Sequence, residues 1–243
     1  MKIKTLLTTV SVALMLQQAN AQSIKVVYET QSKMEIQADG LDQSIIEQIK
    51  KRSKVKHQLC YHNGESVYRT LKPESPNTSG NMIINIKTPE DITYRNHNTN
   101  KEVAYKDFFG KDFLIETELK ASEWTVTDST KIIQDYLCQK AFSRNNNKEE
   151  MVVWFCPNLP IKDGAIYTGL EGIVLEVQTG KVNIVATEIS DETDCKIEVP
   201  TKGKKISQEE FVKMVEKRMK AMENEGDGDD ESGNGKIVIK IKK

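Results

Sequence analysis

The chain has 243 residues, 37% of them hydrophobic and 29% charged, with 35 lysines and arginines against 36 aspartates and glutamates. These proportions exclude collagen, low-complexity disorder and a continuous coiled coil, and four cysteines are too few for a disulfide-dense miniprotein. Near-neutral charge supplies no electrostatic drive towards nucleic acid, so none is expected as a partner.

Residues 1–21 read as a secretory signal peptide. Lys2 and Lys4 give the positive start, and residues 6–16 form an apolar stretch too short to span a membrane. Ala19 and Ala21 place small side chains before a cleavage point. No later stretch reaches spanning length. The expectation is an exported protein, periplasmic or at the cell surface or secreted, without a transmembrane segment.

Residues 24–29 read as a strand, whereas residues 41–54 carry Leu41, Ile45, Ile46 and Ile49 at spacings that fit a short helix or an irregular segment. Residues 54–61 alternate at period two before Asn63-Gly64, a strong hairpin turn, and 66–69 continue the second arm. Residues 72–80 form a loop by composition. Further strands are expected at 82–86, 103–105, 113–116, 124–126, 131–142, 150–155, 172–178 and 183–189, with Thr179-Gly180 turning between the last two. Many short strands joined by short turns indicate an antiparallel sheet.

Ser207 and Glu210 form a capping box, and Phe211, Val212, Met214, Val215, Met219 and Met222 fall on one helical stripe. The division that follows is a β-rich domain over 22–206, an amphipathic helix over 207–224 packed on it, an acidic Gly-rich linker over 225–235 and a terminal edge strand over 236–243. In the linker, Asp227, Asp229 and Glu231 match the first ligand positions of an EF-hand loop. Ser232 and Val238 then stand where Gly and Glu are required, so calcium is not expected.

Export sets Cys60, Cys138, Cys156 and Cys195 in an oxidising compartment. Cys138 and Cys156 lie symmetrically about Asn147, within the polar run 145–148, so a hairpin would bring them opposite each other. A Cys138–Cys156 disulfide and two buried thiols both fit. If that pair bonds, Cys60–Cys195 is the remaining option.

The chain has no GxSxG, HExxH, P-loop or GxGxxG signature. His57, His62 and His97 are its only histidines; the first two, five apart, would point to opposite faces of a strand and read as exposed polar residues. No metal site or cofactor is expected, and no carboxylate stands out for a glycosidase-type pair.

Residues 136–175 resemble the GLPGLI family of exported Bacteroidetes proteins. The matching positions are Tyr136, Cys138, Lys140 and Ala141, then Trp154, Phe155, Leu159, Pro160 and Gly164, then Tyr167, Gly169, Leu170, Gly172, Ile173 and Val174. Glu171 replaces the motif's proline, Cys156 stands where a polar residue is usual, and Ala165 follows Gly164 in place of proline. The resemblance brings no catalytic residues. Gly169 and Gly172 mark backbone needing positive φ or close approach, with Leu170, Ile173 and Leu175 entering the core.

The fold expected is mainly β: a curved antiparallel sheet, by analogy a half-barrel like lipoprotein carriers of the LolA/LolB type, with a C-terminal helix. The function expected is non-catalytic binding of an apolar ligand such as a lipid or lipoprotein. The alternatives are a protein-interaction component for an outer-membrane transporter or secretion system, and a carboxylate-based hydrolase.

Overall fold

The structure is a computed structural model that describes residues 23–33, 54–72, 78–79, 82–83, 89–144, 150–191 and 195–225. The signal-peptide reading of 1–21, nearly all of the 41–54 segment, the later part of the 82–86 strand, the acidic stretch from 226 and the strand at 236–243 lie outside these residues.

In chain order the strands are β1 (Ser23–Ser32), β2 (Val55–His62), β3 (Glu65–Thr70), β4 (Thr78–Ser79), β5 (Met82–Ile83), β6 (Asp91–Asn96), β7 (Lys101–Phe108) and β8 (Lys111–Glu118). They continue with β9 (Thr125–Ile133), β10 (Tyr136–Arg144), β11 (Glu150–Cys156), β12 (Ile173–Gln178), β13 (Val182–Ser190) and β14 (Lys204–Lys205), and the helix α1 spans Gln208–Glu225. Twelve strands form one curved sheet in the order β14-β8-β7-β6-β3-β2-β1-β13-β12-β11-β10-β9, while β4 and β5 pair with each other. Every pairing in the large sheet is antiparallel except β14 on β8. The seam between its two meanders is β1, where Tyr28 pairs with His57 on one side and Ala186 on the other.

Period-two patterning sets the strands. Ile24, Val26 and Tyr28 of β1 point into the core while the residues between them are half-buried. Each fully buried aliphatic chain contributes about 1.5–3 kcal/mol. Strand β12 is buried on both faces from Ile173 to Val177, as its near-continuous apolar run requires. Register shifts at Val27–Tyr28, Gln139–Ala141 and Trp154–Phe155 bend the strands that carry them.

Tight turns join the strands. Asn63-Gly64 has φ of 49° and 86°, the two left-handed residues of a two-residue hairpin. The run 131–142, expected as one strand, is two: Gln134 and Asp135, with φ of 46° and 65°, make the same kind of turn between β9 and β10. Asp tolerates that conformation through its short polar side chain, but Gln-Asp is not a standard hairpin signal.

The cysteine pairing corrects the hairpin expectation. Strands β10 and β11 do pair symmetrically about Asn147, from Arg144–Glu150 to Gln139–Phe155. The ladder stops there, one pair short of Cys138 and Cys156. The Cys138 thiol turns along its own strand to donate to the Tyr136 carbonyl at 3.5 Å. Both cysteines are buried free thiols, and burial beside Cys156 pushes Cys138 up to about 12. The disulfide is Cys60–Cys195, with Cα atoms 5.7 Å apart.

That bond anchors a strap. Residues 195–206 cross one face of the sheet, from β2 to the far edge, where β14 pairs with β8 and the Ile206 amide donates to the Leu114 carbonyl at 3.1 Å. Beneath the strap, Val67, Tyr94, Val103 and Leu114 form a small core that Ile92 and Ile197 complete. The other face of β3 points Tyr68 into the main core with Tyr28, Leu59, Val153, Ile161 and Leu170.

The helix starts at its capping box. The Glu210 amide donates to Ser207 Oγ at 3.2 Å, and the Ser207 amide donates back to Glu210 Oε2 at 3.1 Å. It meets the sheet at its edge rather than spreading over a face. Phe211 packs edge-on against Phe108 and Phe113, and Arg218 lies over the Phe109 ring. Val212 and Met219 remain exposed.

Candidate binding site

Between β11 and β12 the chain makes a long connection, residues 157–172, which runs across the main core. Its two limbs define the site.

The first limb is fixed by charge. Cross-strand pairing sets Tyr61, Ser66, Arg95 and Glu102 in one row over β2, β3, β6 and β7. Asp163 is presented to this row from the connection. Arg95 donates from Nη1 to Asp163 Oδ1 at 2.8 Å, from Nε to Glu102 Oε2 at 2.9 Å and from Nη2 to the Ile166 carbonyl at 3.1 Å. The hydroxyl of Ser66 donates to Asp163 Oδ2, His97 Nε2 donates to the same oxygen at 3.2 Å, and the Gly164 amide donates to Oδ1 at 2.7 Å.

Burial by itself would raise the Asp163 pKa. The Arg95 charge and the bonds from His97 and Ser66 outweigh it and hold the carboxyl at about 2. Burial works against the Arg95 cation too, but Asp163 and Glu102 keep its pKa above the ordinary value.

Chemically this cluster is closed. Both oxygens of Asp163 are occupied, and Ser66 spends its proton on the carboxylate rather than on the histidine. The carboxylate that takes this proton, held at about 2, is too weak a base for a nucleophilic relay. The cluster clamps the connection to the sheet.

The exposed reading holds for His62 but not for His57. His97 is half-buried in this cluster. His57 is stacked on Tyr68 with centroids 5.1 Å apart, and burial, aided by Lys106, lowers its pKa to about 4.

The second limb turns outwards. Gly164, with φ of 146°, lies so close to β12 that a Cβ would sit 2.5 Å from the Val174 amide nitrogen. Ala165 follows at φ 48°, fully buried. Further on, Trp124 Nε1 donates to the Thr168 carbonyl at 2.9 Å, and Thr168 Oγ1 donates to the Lys120 carbonyl at 3.3 Å. The Tyr167 ring is thereby held edge-on to Trp124, centroids 6.0 Å apart.

Tyr167 forms one wall of a cleft of about 660 Å³. Ser122, Ser143 and Thr179 line it, together with Glu123, Glu150, Met151 and Lys181. An aromatic ring among polar and charged residues suits a polyhydroxylated ligand, whose C–H face packs on the ring while its hydroxyls exchange hydrogen bonds with the rim.

The motif positions divide between these parts. Tyr136, Cys138, Lys140, Ala141 and Trp154 belong to β10 and β11. Pro160 is exposed on the connection, Gly164 and Leu170 are buried in it, Gly169 approaches the Ser122 carbonyl, and Gly172 passes the Cys156 carbonyl. None of them carries a reactive group into the Asp163 cluster. That cluster was invisible in sequence because its members come from positions 66, 95, 97, 102 and 163; the only local signal was Asp163-Gly164. Among the described residues no group of three histidines, cysteines or carboxylates is arranged around a metal, and no helix is long and apolar enough to cross a membrane.

The family described as N-glycanase peptide, N-terminal domain, matches residues 67–214, more than half of the chain. The chain belongs to this family. Two solved structures of PNGF-II, in space groups P21 and C2, share the fold of this chain, with TM-scores of 0.55 and 0.54 at 15% and 16% identity. Each alignment covers 81% of this chain, which spans about a third of the PNGF-II structures, 34% and 33% of their lengths. No curated protein matches the chain in sequence.

Proposed function

We propose that the chain is an exported, non-catalytic binding module whose cleft beside Tyr167 holds a glycan or glycopeptide. The observation that carries this is the cleft itself: an aromatic ring packed on Trp124 among polar and charged residues, on a connection clamped by a closed ionic cluster. Membership in a family named for an N-glycanase peptide supports a glycan as the ligand. Export rests on the residue 1–21 pattern and agrees with the Cys60–Cys195 disulfide. Kinship to GLPGLI proteins rests on the 136–175 residues alone.

An apolar ligand such as a lipid or lipoprotein, or an envelope partner protein, is the second reading. It is favoured by Ile132 and Leu137, which pair across β9 and β10 and are both largely exposed. Against the apolar-ligand version, Ile161, Ala165 and Leu170 of the connection already pack into the main core.

Calorimetric titration with an N-glycopeptide, its free oligosaccharide and the sugar-free peptide tests the proposal. Binding of the two glycans and not the bare peptide, weakened about tenfold by Tyr167→Ala, is expected. Absence of glycan binding by the folded protein would overturn it.

A further inference from the structure

We infer that the open edge of β9 is a docking site for residues 236–243 of a second copy of this chain, added to the sheet as a further strand. Strand β9 ends the large sheet and pairs only with β10. Such an edge presents a row of amide and carbonyl groups ready to pair. At the opposite end the outer side of β8 is already occupied. There β14 pairs with Phe113 and Leu114, the Ile206 amide donates to the Leu114 carbonyl, and Lys205 reaches Glu116 at 3.1 Å.

The side chains of β9 define the strand that fits. Val126, Thr130 and Ile132 pair with Ala141, Gln139 and Leu137, which alternate along β10, so all six share one face. On that face Ile132, Leu137 and Val126 are 70%, 54% and 47% exposed, an apolar row left open at the sheet's end. The bulge lies between Val126 and Thr130, which leaves Thr130–Ile133 as the regular stretch. Asp128 and Asp135 are exposed and in no ion pair among the described residues, whereas Lys131 is held by Glu176 at 2.5 Å. The free charge along this edge is therefore negative.

Residues 236–243 are complementary on both counts. In an extended chain Ile237, Ile239 and Ile241 fall on one side and would continue the Ile132–Leu137 row. Lys236, Lys240, Lys242 and Lys243 bring the opposite charge. Reach selects the second copy. Helix α1 packs at the β8 end, and β8 stands ten strand places from β9, about 48 Å along the sheet. The ten residues 226–235 extend at most about 36 Å. Two copies that exchange segments form a closed pair. No residue of β9 lines the Tyr167 cleft, so this surface stands independently of the glycan reading.

Sedimentation of the folded full chain across a wide concentration range tests the exchange, together with the variants Ile132→Lys and Ile239→Lys. A concentration-dependent dimer is expected, weakened at least about tenfold by either substitution. Ile132 is exposed, so its replacement spares the fold. Mixing the two variants restores one intact edge facing one intact segment and should give tighter association than either alone. A synthetic peptide of residues 236–243, added to isotope-labelled Ile239→Lys protein, should shift the amide signals of Thr130–Ile133 and Leu137, and should lose this effect when Ile132 is also replaced by Lys. A monomer at every concentration, a dimer indifferent to both substitutions, a mixture no tighter than its components, or peptide shifts that are absent or centred on β8 would overturn the inference.

Discussion

Arg95 and Asp163, separated by 68 residues, meet at 2.8 Å with both side chains almost completely removed from solvent. Their ion pair fixes the connection between β11 and β12 to strands from the other half of the sheet. The same connection carries Tyr167 to the cleft, so the cleft's shape depends on a charge pair that does not touch it.

Breaking that pair from one side should therefore be expensive. Asp163→Ala leaves the Arg95 cation buried with only Glu102 to balance it, at an expected cost of about 3–5 kcal/mol in urea unfolding. Replacing both together, Arg95→Met with Asp163→Leu, should recover much of that loss, because the buried charge goes with its partner. Equal destabilisation by the single and double variants would contradict the clamp.

Acid should weaken the fold in two stages. His57 is neutral when folded, with its pKa near 4, so the unfolded chain binds an extra proton as pH falls below the usual histidine value. Its contribution, at most about 3 kcal/mol, is complete above pH ~6.5 and is lost on descending to about 4. Asp163, held near 2, contributes stability that is complete above the ordinary carboxylate pKa and is lost only as pH falls through about 2. Denaturant midpoints measured across this range should decline in both windows, and His57→Gln should flatten the upper one.

The sulfur chemistry is countable. Unreduced protein, once unfolded, should alkylate at two thiols, Cys138 and Cys156, while the folded protein should react at neither because both are fully buried. Replacing Cys60 and Cys195 by serine, which opens a 135-residue crosslink, should cost about 2–5 kcal/mol and loosen the strap. Peptide mapping that finds no free thiol would establish a second bond between Cys138 and Cys156.

Gly164 has no room for a side chain. Gly164→Ala drives a Cβ into the backbone of Val174 at positive φ, and at least about 2 kcal/mol of stability should go with it. Gly180→Ala, with nothing within 4 Å, is the control and should be close to neutral.

Local chemistry was readable from the chain and distant chemistry was not. Asn63-Gly64, Thr179-Gly180 and the Ser207–Glu210 box announced their turns and cap because each depends on neighbours within four residues. The symmetry about Asn147 gave the β10–β11 register, but register alone could not tell that the ladder ends before Cys138. Gln134-Asp135 hid a turn inside the run 131–142 that read as one strand. The cysteine pairing, the two-residue parallel strand β14 and the Asp163 cluster all depend on contacts across the sheet, where no periodicity speaks. His57 read as polar surface for the same reason: its burial comes with Tyr68, which is on another strand.

We propose Tyr167 as the wall of a glycan-binding cleft on a non-catalytic domain. NMR mapping with an N-glycopeptide tests it most directly, because one titration reports both place and chemistry. Shifts gathered on Ser122, Trp124, Tyr167, Gly180 and Lys181, with the glycopeptide recovered intact, are the predicted result. Shifts elsewhere, none at all, or the appearance of free oligosaccharide would contradict it.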